Sequence, residues 1–238
     1  ADVLENTLYN AVMPGISLDG IHYFYENPLA DTGNHRRQEW FGCACCPPNI
    51  ARLLASLPGY FYSTASNAVY VHLYATSTAN LTLPNGQAFT LSQTANYPWD
   101  GNITITVEQD TDTEVTLCPR IPAWAGSATL QVNNEEPTPV STGYAALTRV
   151  WKARDTVQIS LPMEVQILES HPNILGNRGR VAIRRGALVY CVEATDNAGV
   201  DTWEIALTPS THLKPTFEPN LLNGVVVLRG EGVVLNSS

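Results

Sequence analysis

The spacing of apolar residues changes once along this 238-residue chain, near Tyr60. Before it, apolar side chains recur at helical intervals. Val3, Leu4, Leu8, Ala11 and Val12 form one stripe, and Ile50, Leu53, Leu54 and Leu57 form another at i, i+3, i+4 and i+7. Beyond Tyr60 apolar and polar residues alternate, the period of a half-buried strand. Strands are predicted over 68–74, 79–83, 88–91, 102–107 and 114–118, with turns at Pro84-Asn85-Gly86 and Trp99-Asp100-Gly101. Further strands are predicted over 128–132, 144–148 and 156–161, then over 180–185, 187–191 and 225–228. The regular spacing predicts an antiparallel β-sandwich behind a short helical region.

The helix over 1–13 is closed by Pro14-Gly15. An amphipathic helix at residue 1 needs cover, so the chain is expected to be a piece of a longer protein. Leu18-Asp19-Gly20 predicts a turn in a short hairpin ending on Tyr23-Phe24-Tyr25, and His35-Arg36-Arg37 reads as a solvated basic face. Pro47-Pro48 predicts a helix start, Asn49 to Leu57 its body, and Pro58-Gly59 its stop.

A content of 44% hydrophobic and 15% charged residues supports a packed core. The net charge of −9 argues against a nucleic-acid or anionic-membrane partner. No apolar run approaches the roughly 20 residues of a membrane helix.

Chemistry concentrates in Phe41-Gly42-Cys43-Ala44-Cys45-Cys46-Pro47-Pro48-Asn49, where three of the five cysteines fall within four residues. Neighbouring cysteines such as Cys45 and Cys46 rarely form a disulfide because the ring is strained. Clustered thiols point to a metal, a nucleophile or both; the alternative is a set of buried small hydrophobes. Their place on a loop entering a helix would lower a thiol pKa at the helix N-terminus. Cys118 and Cys191 read as core thiols. Free thiols and no visible leader suit a reducing cytoplasm.

The chain resembles the C-terminal part of glycoside hydrolase family 127, the bacterial β-L-arabinofuranosidases. The resemblance is carried by Ala1-Asp2-Val3-Leu4-Glu5 with Leu8-Tyr9-Asn10, Gly15 to Gly20, Tyr25-Glu26-Asn27-Pro28-Leu29, and Trp40 to Arg52 around the cysteines. Tyr97-Pro98-Trp99-Asp100-Gly101, Arg120-Ile121-Pro122-Ala123-Trp124 and Arg185 to Cys191 also resemble it.

The resemblance implies a mainly β chain: antiparallel β-sandwich domains preceded by the last helices of an (α/α)6 barrel. Residues 1–62 would be the barrel remnant, 63–165 a β-sandwich, and 166–238 a second, smaller sandwich-like domain. The implied activity is retaining, zinc-thiolate hydrolysis of terminal β-L-arabinofuranosyl groups on plant glycans or glycoproteins. Cys45 matches the nucleophile, which is also a zinc ligand, and Cys46 matches a second zinc ligand. Glu5, Tyr25 and Cys43 match positions lining the sugar site. From the residues alone, Glu5 also reads as a solvated helix charge and Tyr25 as core.

In the family the acid/base Glu and the other two zinc ligands, a Glu and a Cys, lie upstream of this motif, and no Cys precedes Cys43 here. The isolated chain is therefore expected to lack a closed zinc site and activity, and to need an upstream barrel segment or a second copy as partner. Two other readings stay open: a non-catalytic sandwich that binds sugar or packs on a partner, with Trp99 and Trp124 as platform or core, and a related glycosidase acting on a different sugar.

Overall fold

A computed structural model of the chain describes residues 1–28 and 30–235. Leu29, last residue of the Tyr25-to-Leu29 motif, and residues 236–238, the end of the expected third domain, lie outside that description. The chain divides into two compact units, Ala1–Met163 and the residues from Glu164 onward.

In the first unit, helix α1 spans Asp2–Thr7 and runs into a π turn at Leu8–Val12 and a 3-10 turn at Met13–Gly15. The single regular helix expected over 1–13 is thus widened and then tightened. Asn10 donates from its side chain to the Asn6 carbonyl at 2.9 Å, a local competitor for the helical ladder, and Pro14 has no N–H to offer. The apolar stripe is only partly the packing face: Leu8 is buried, but Val3 is 81% exposed, and the other buried position of α1 and its π turn is Glu5, three residues before Leu8 on the same side. Ile16 pairs antiparallel with Tyr23, which also pairs with Gln38. Arg37 is more than a solvated charge: its guanidinium lies 4.3 Å from the Phe24 ring centroid and donates to the Pro14 carbonyl. Helix α2 spans Cys46–Ser56 with Pro47 and Pro48 in its first turn, followed by a 3-10 turn at Leu57–Tyr60.

Eleven strands come next: β1 Tyr62–Ala65, β2 Ala68–Val71, β3 Ser77–Thr82, β4 Ala88–Ala95, β5 Asn102–Val107, β6 Val115–Ile121, β7 Thr129–Val132, β8 Thr138–Pro139, β9 Gly143–Tyr144, β10 Leu147–Arg149 and β11 Thr156–Ser160. One sheet has the order β1-β2-β6-β10, with β9 also on β6; the other is β3-β4-β5-β11-β7-β8. Every pairing is antiparallel except β2 with β6, which run parallel with Val69 opposite Leu117.

The period-two pattern sets which face is inside. Val69, Val71, Val115 and Leu117 of one sheet are fully buried, as are Phe89, Leu91, Ile103, Ile105 and Val157 of the other. Tyr62 of β1 links the sheets, bonding Ser77 at 2.9 Å and accepting from Gln93 at 2.5 Å. Trp151 is wholly enclosed and donates its indole N–H to the Val115 carbonyl at 2.8 Å. The Trp99-Asp100-Gly101 turn needs its glycine: a Cβ at Gly101 would sit 1.9 Å from the Leu161 carbonyl oxygen.

The second unit carries β12 Val165–Glu169, β13 Val181–Arg185 and β14 Leu188–Tyr190 in one antiparallel sheet. Its other strands are β15 Ile205–Ala206, β16 Lys214–Glu218, β17 Val225–Arg229 and β18 Val233–Val234, in the two-stranded sheets β15-β18 and β16-β17. Its described residues thus form three small sheets, with Ala187 and Val226 as the buried apolar residues among them. The boundary lies two residues before the expected 165/166 division, and residues 1–62 belong with the sandwich in one unit. No helix among the described residues is long and apolar enough to cross a membrane.

This burial pattern separates two substitutions that sequence periodicity would treat alike. Ile105→Ala is expected to destabilise the first unit by about 2–5 kcal/mol in urea unfolding, and Val3→Ala by less than about 0.5 kcal/mol.

Candidate active site

The thiol loop is shaped by the start of α2. Pro47 and Pro48 fit a first turn, where an N–H would have no helical partner, and Cys45 precedes the helix as its N-cap. There the backbone is αR, with φ −99° and ψ −51°. The Cys45 carbonyl is fixed by the Asn49 side-chain amide at 2.7 Å, and Arg52 Nε in turn donates to Asn49 Oδ1 at 3.2 Å. The two bonds sit on one face of α2, at spacings of four and three residues.

Against this loop stands Tyr25, its ring packed 5.4 Å from that of Phe41. Its hydroxyl oxygen lies 2.8 Å from Cys45 Sγ, and Cys45 Sγ lies 3.4 Å from Cys46 Sγ. All five cysteines are free thiols; Cys43 and Cys45 are exposed and Cys46 is half-buried. The Tyr25 hydroxyl, then the Cys46 thiol, lowers the pKa of Cys45 by hydrogen bonding to its thiolate. Cys46 moves the opposite way, chiefly because it donates to Cys45, and burial adds to the rise. Tyr25 is raised, first by its bond to Cys45, so the shared proton stays on the phenol. Of the adjacent pair, Cys45 therefore ionises before Cys46.

The structure brings Tyr25, Cys45 and Cys46 together, with Cys43 beside Tyr25 and Cys45. It places Glu5 elsewhere. That carboxylate is 1% exposed, and so it is not a solvated helix charge. Its Oε1 accepts from Tyr97 at 2.6 Å and from Arg120 Nη2, and its Oε2 accepts from the Trp124 indole at 3.1 Å. Burial, then the Glu5 carboxylate, pushes the Tyr97 phenol well above its ordinary pKa, so it remains a donor. Trp124 is accordingly core rather than an exposed platform. Sequence reasoning missed Asn49, Arg52 and Arg120. The signal for Arg120 was available: an arginine in the strand-like run Leu117 to Ile121 needs a buried partner.

Two sulfurs 3.4 Å apart can share one zinc ion, each at about 2.3 Å. Among the described residues no group of three or more His, Cys, Asp or Glu side chains is placed to hold a metal. The thiol pair thus fits half of a four-ligand site and does not close one.

Three family descriptions match the chain in sequence order. The glycoside hydrolase family 127 β-L-arabinofuranosidase catalytic domain matches residues 1–59, its middle domain 68–163, and the family's C-terminal domain 165–225. The chain belongs to glycoside hydrolase family 127.

The chain is 38% identical to a non-reducing end β-L-arabinofuranosidase of Bifidobacterium longum subsp. longum, an alignment covering 94% of this chain and 37% of that protein. A family 127 β-L-arabinofuranosidase from Geobacillus stearothermophilus T6 superposes with a TM-score of 0.87 at 40% identity, covering 96% of this chain and 38% of the other. A second family 127 β-arabinofuranosidase superposes at 0.91 with 35% identity, over 98% and 39%. The chain thus spans about two-fifths of the length of these relatives. The thiol loop lies in the stretch matched by the family 127 catalytic domain, which forms one compact unit with the middle domain.

The thiol asymmetry has a direct readout. In metal-free protein at neutral pH, peptide-mapped alkylation should label Cys45 ahead of Cys46. Tyr25→Phe removes the donor that stabilises the thiolate, so it should slow Cys45 labelling and leave Cys191 unchanged.

Proposed function

We propose that this chain is the C-terminal portion of a retaining β-L-arabinofuranosidase in which Cys45 is the nucleophile. Cys45 and Cys46 are two ligands of a zinc ion, and the remaining ligands come from an upstream (α/α)6 barrel. The observation that carries this reading is the Tyr25–Cys45 contact at 2.8 Å in the family's catalytic segment. It gives one exposed thiol of the cluster a lowered pKa beside a second sulfur. When bound, zinc would hold the paired thiols deprotonated at neutral pH.

A retaining glycosidase ordinarily sets two carboxylates about 5–5.5 Å apart, one as nucleophile and one as acid/base. Here a thiolate takes the first role. Cys45 Sγ attacks the anomeric carbon, a C–S bond forms as the glycosidic C–O bond breaks, and the leaving oxygen takes a proton from a carboxylic acid. That carboxylate then takes a proton from water, which displaces the sulfur and restores Cys45. Tyr25 Oη orients the sulfur and shares its proton. Asn49 fixes the Cys45 carbonyl, so the nucleophile sits on a held backbone rather than a free loop.

This chain does not supply the acid/base. Glu5 is buried in its ion pair, and the resemblance assigns no role to Glu26 or Glu39. The substrates are terminal β-L-arabinofuranosyl groups of plant glycans or glycoproteins, and the chain alone is inactive.

The test is hydrolysis of a chromogenic β-L-arabinofuranoside by this chain, alone and joined to the upstream part of a family 127 catalytic domain. The joined protein should turn over and lose roughly a thousandfold or more in kcat on Cys45→Ser, while the chain alone stays silent. Turnover by the isolated chain, or activity that survives Cys45→Ser, would contradict the proposal.

A further inference from the structure

Three segments that carry the family resemblance, Asp2–Glu5, Tyr97 and Arg120–Trp124, take no part in the thiol site and meet at one buried ion pair. Arg120 lies on β6 and is 2% exposed. Its Nη1 donates to Asp2 Oδ1 at 2.7 Å, its Nη2 to Glu5 Oε1, and its Nε to the His72 carbonyl at 2.6 Å. Asp2 and Glu5 lie three residues apart on α1, so one planar guanidinium grips two carboxylates on one helix face. Such a grip fixes both the rotation of the helix and its position along its axis.

The thiol site is mounted on the two turns that extend this helix to Gly15. The Ala11 carbonyl accepts from Asn27 Nδ2 at 2.6 Å, two residues from Tyr25. The Gly15 carbonyl accepts from the Phe24 N–H at 2.9 Å. Gly15 also lies against α2, where a Cβ would come within 2.6 Å of Ile50 Cδ1. Residues 1–15 therefore hold both the segment that presents Tyr25 and the helix that begins at Cys46.

We propose that Arg120 is a positioning residue for the candidate active site: it registers residues 1–15 on the sandwich, and these hold Tyr25 against Cys45. The inference rests on the thiol loop being the functional centre. It is tested through backbone protection, so it can fail while the arabinofuranosidase reading stands, and the reverse.

The experiment is hydrogen–deuterium exchange with mass spectrometry on the whole chain, in wild type, Arg120→Lys and the double variant Glu5→Gln/Arg120→Met. A lysine keeps the charge but cannot span Asp2, Glu5 and the His72 carbonyl together. The double variant removes the pair without leaving a lone buried charge, so the sandwich survives. Amides in 20–46 should exchange about tenfold faster in both variants while β4, β5 and β11 keep wild-type protection. Arg229→Lys, at a surface pair with Glu218, should change neither region. Wild-type protection of 20–46 in the double variant would overturn the proposal. So would acceleration spread evenly over 20–46 and the strands, which would reduce Arg120 to a general contributor to stability.

Discussion

Arg120 and Glu5 face each other almost out of reach of water, 115 residues apart in sequence. Removing one member of such a pair costs about 3–5 kcal/mol, because the other is left charged and desolvated; replacing both with apolar groups can cost almost nothing. The pair is therefore better understood as a device for placement than as a source of stability. An apolar patch would let α1 slide or rotate on the sandwich. A guanidinium that must meet Asp2, Glu5 and the His72 carbonyl at once permits one position. This explains why the stretch matched as catalytic domain and the stretch matched as middle domain form one compact unit.

From that placement the thiol chemistry is derived. Three cysteines in four residues would be near-equivalent on a free loop. Here Tyr25 bonds to one of them, Asn49 pins its carbonyl, and the neighbouring Cys46 keeps its proton longer. The loop carries one thiol with a lowered pKa and a second sulfur 3.4 Å away.

Much of the fold was legible because alternation has one physical meaning in a sandwich, one face in and one out. The strand over 102–107 has the bounds its pattern predicts. Alternation does not say which strands pair, so the parallel β2–β6 contact could not be read. Lys214–Glu218 escaped notice because Pro215 reads as a strand breaker, although a two-stranded sheet edge tolerates it. The stripe of α1 misled because Val3 faces solvent while a charged residue, Glu5, faces in. At the site, spacing alone put Cys43, Cys45 and Cys46 together. The contact from Tyr25, 20 residues away, was suggested by resemblance and not by pattern. Asn49 and Arg52 were placed in the helix and in the resembling stretch, but the bonds by which they fix the Cys45 carbonyl are not visible in the sequence.

Native mass spectrometry, reading intact mass and bound zinc together, tests the central claim most directly: that this chain holds a thiol half of a metal site completed from upstream. The account predicts a zinc-free species at the mass of the isolated chain. It predicts one zinc per copy once the upstream part of a family 127 catalytic domain is joined to it, lost on Cys46→Ala. Stoichiometric zinc on the isolated chain, or none on the joined protein, would contradict it.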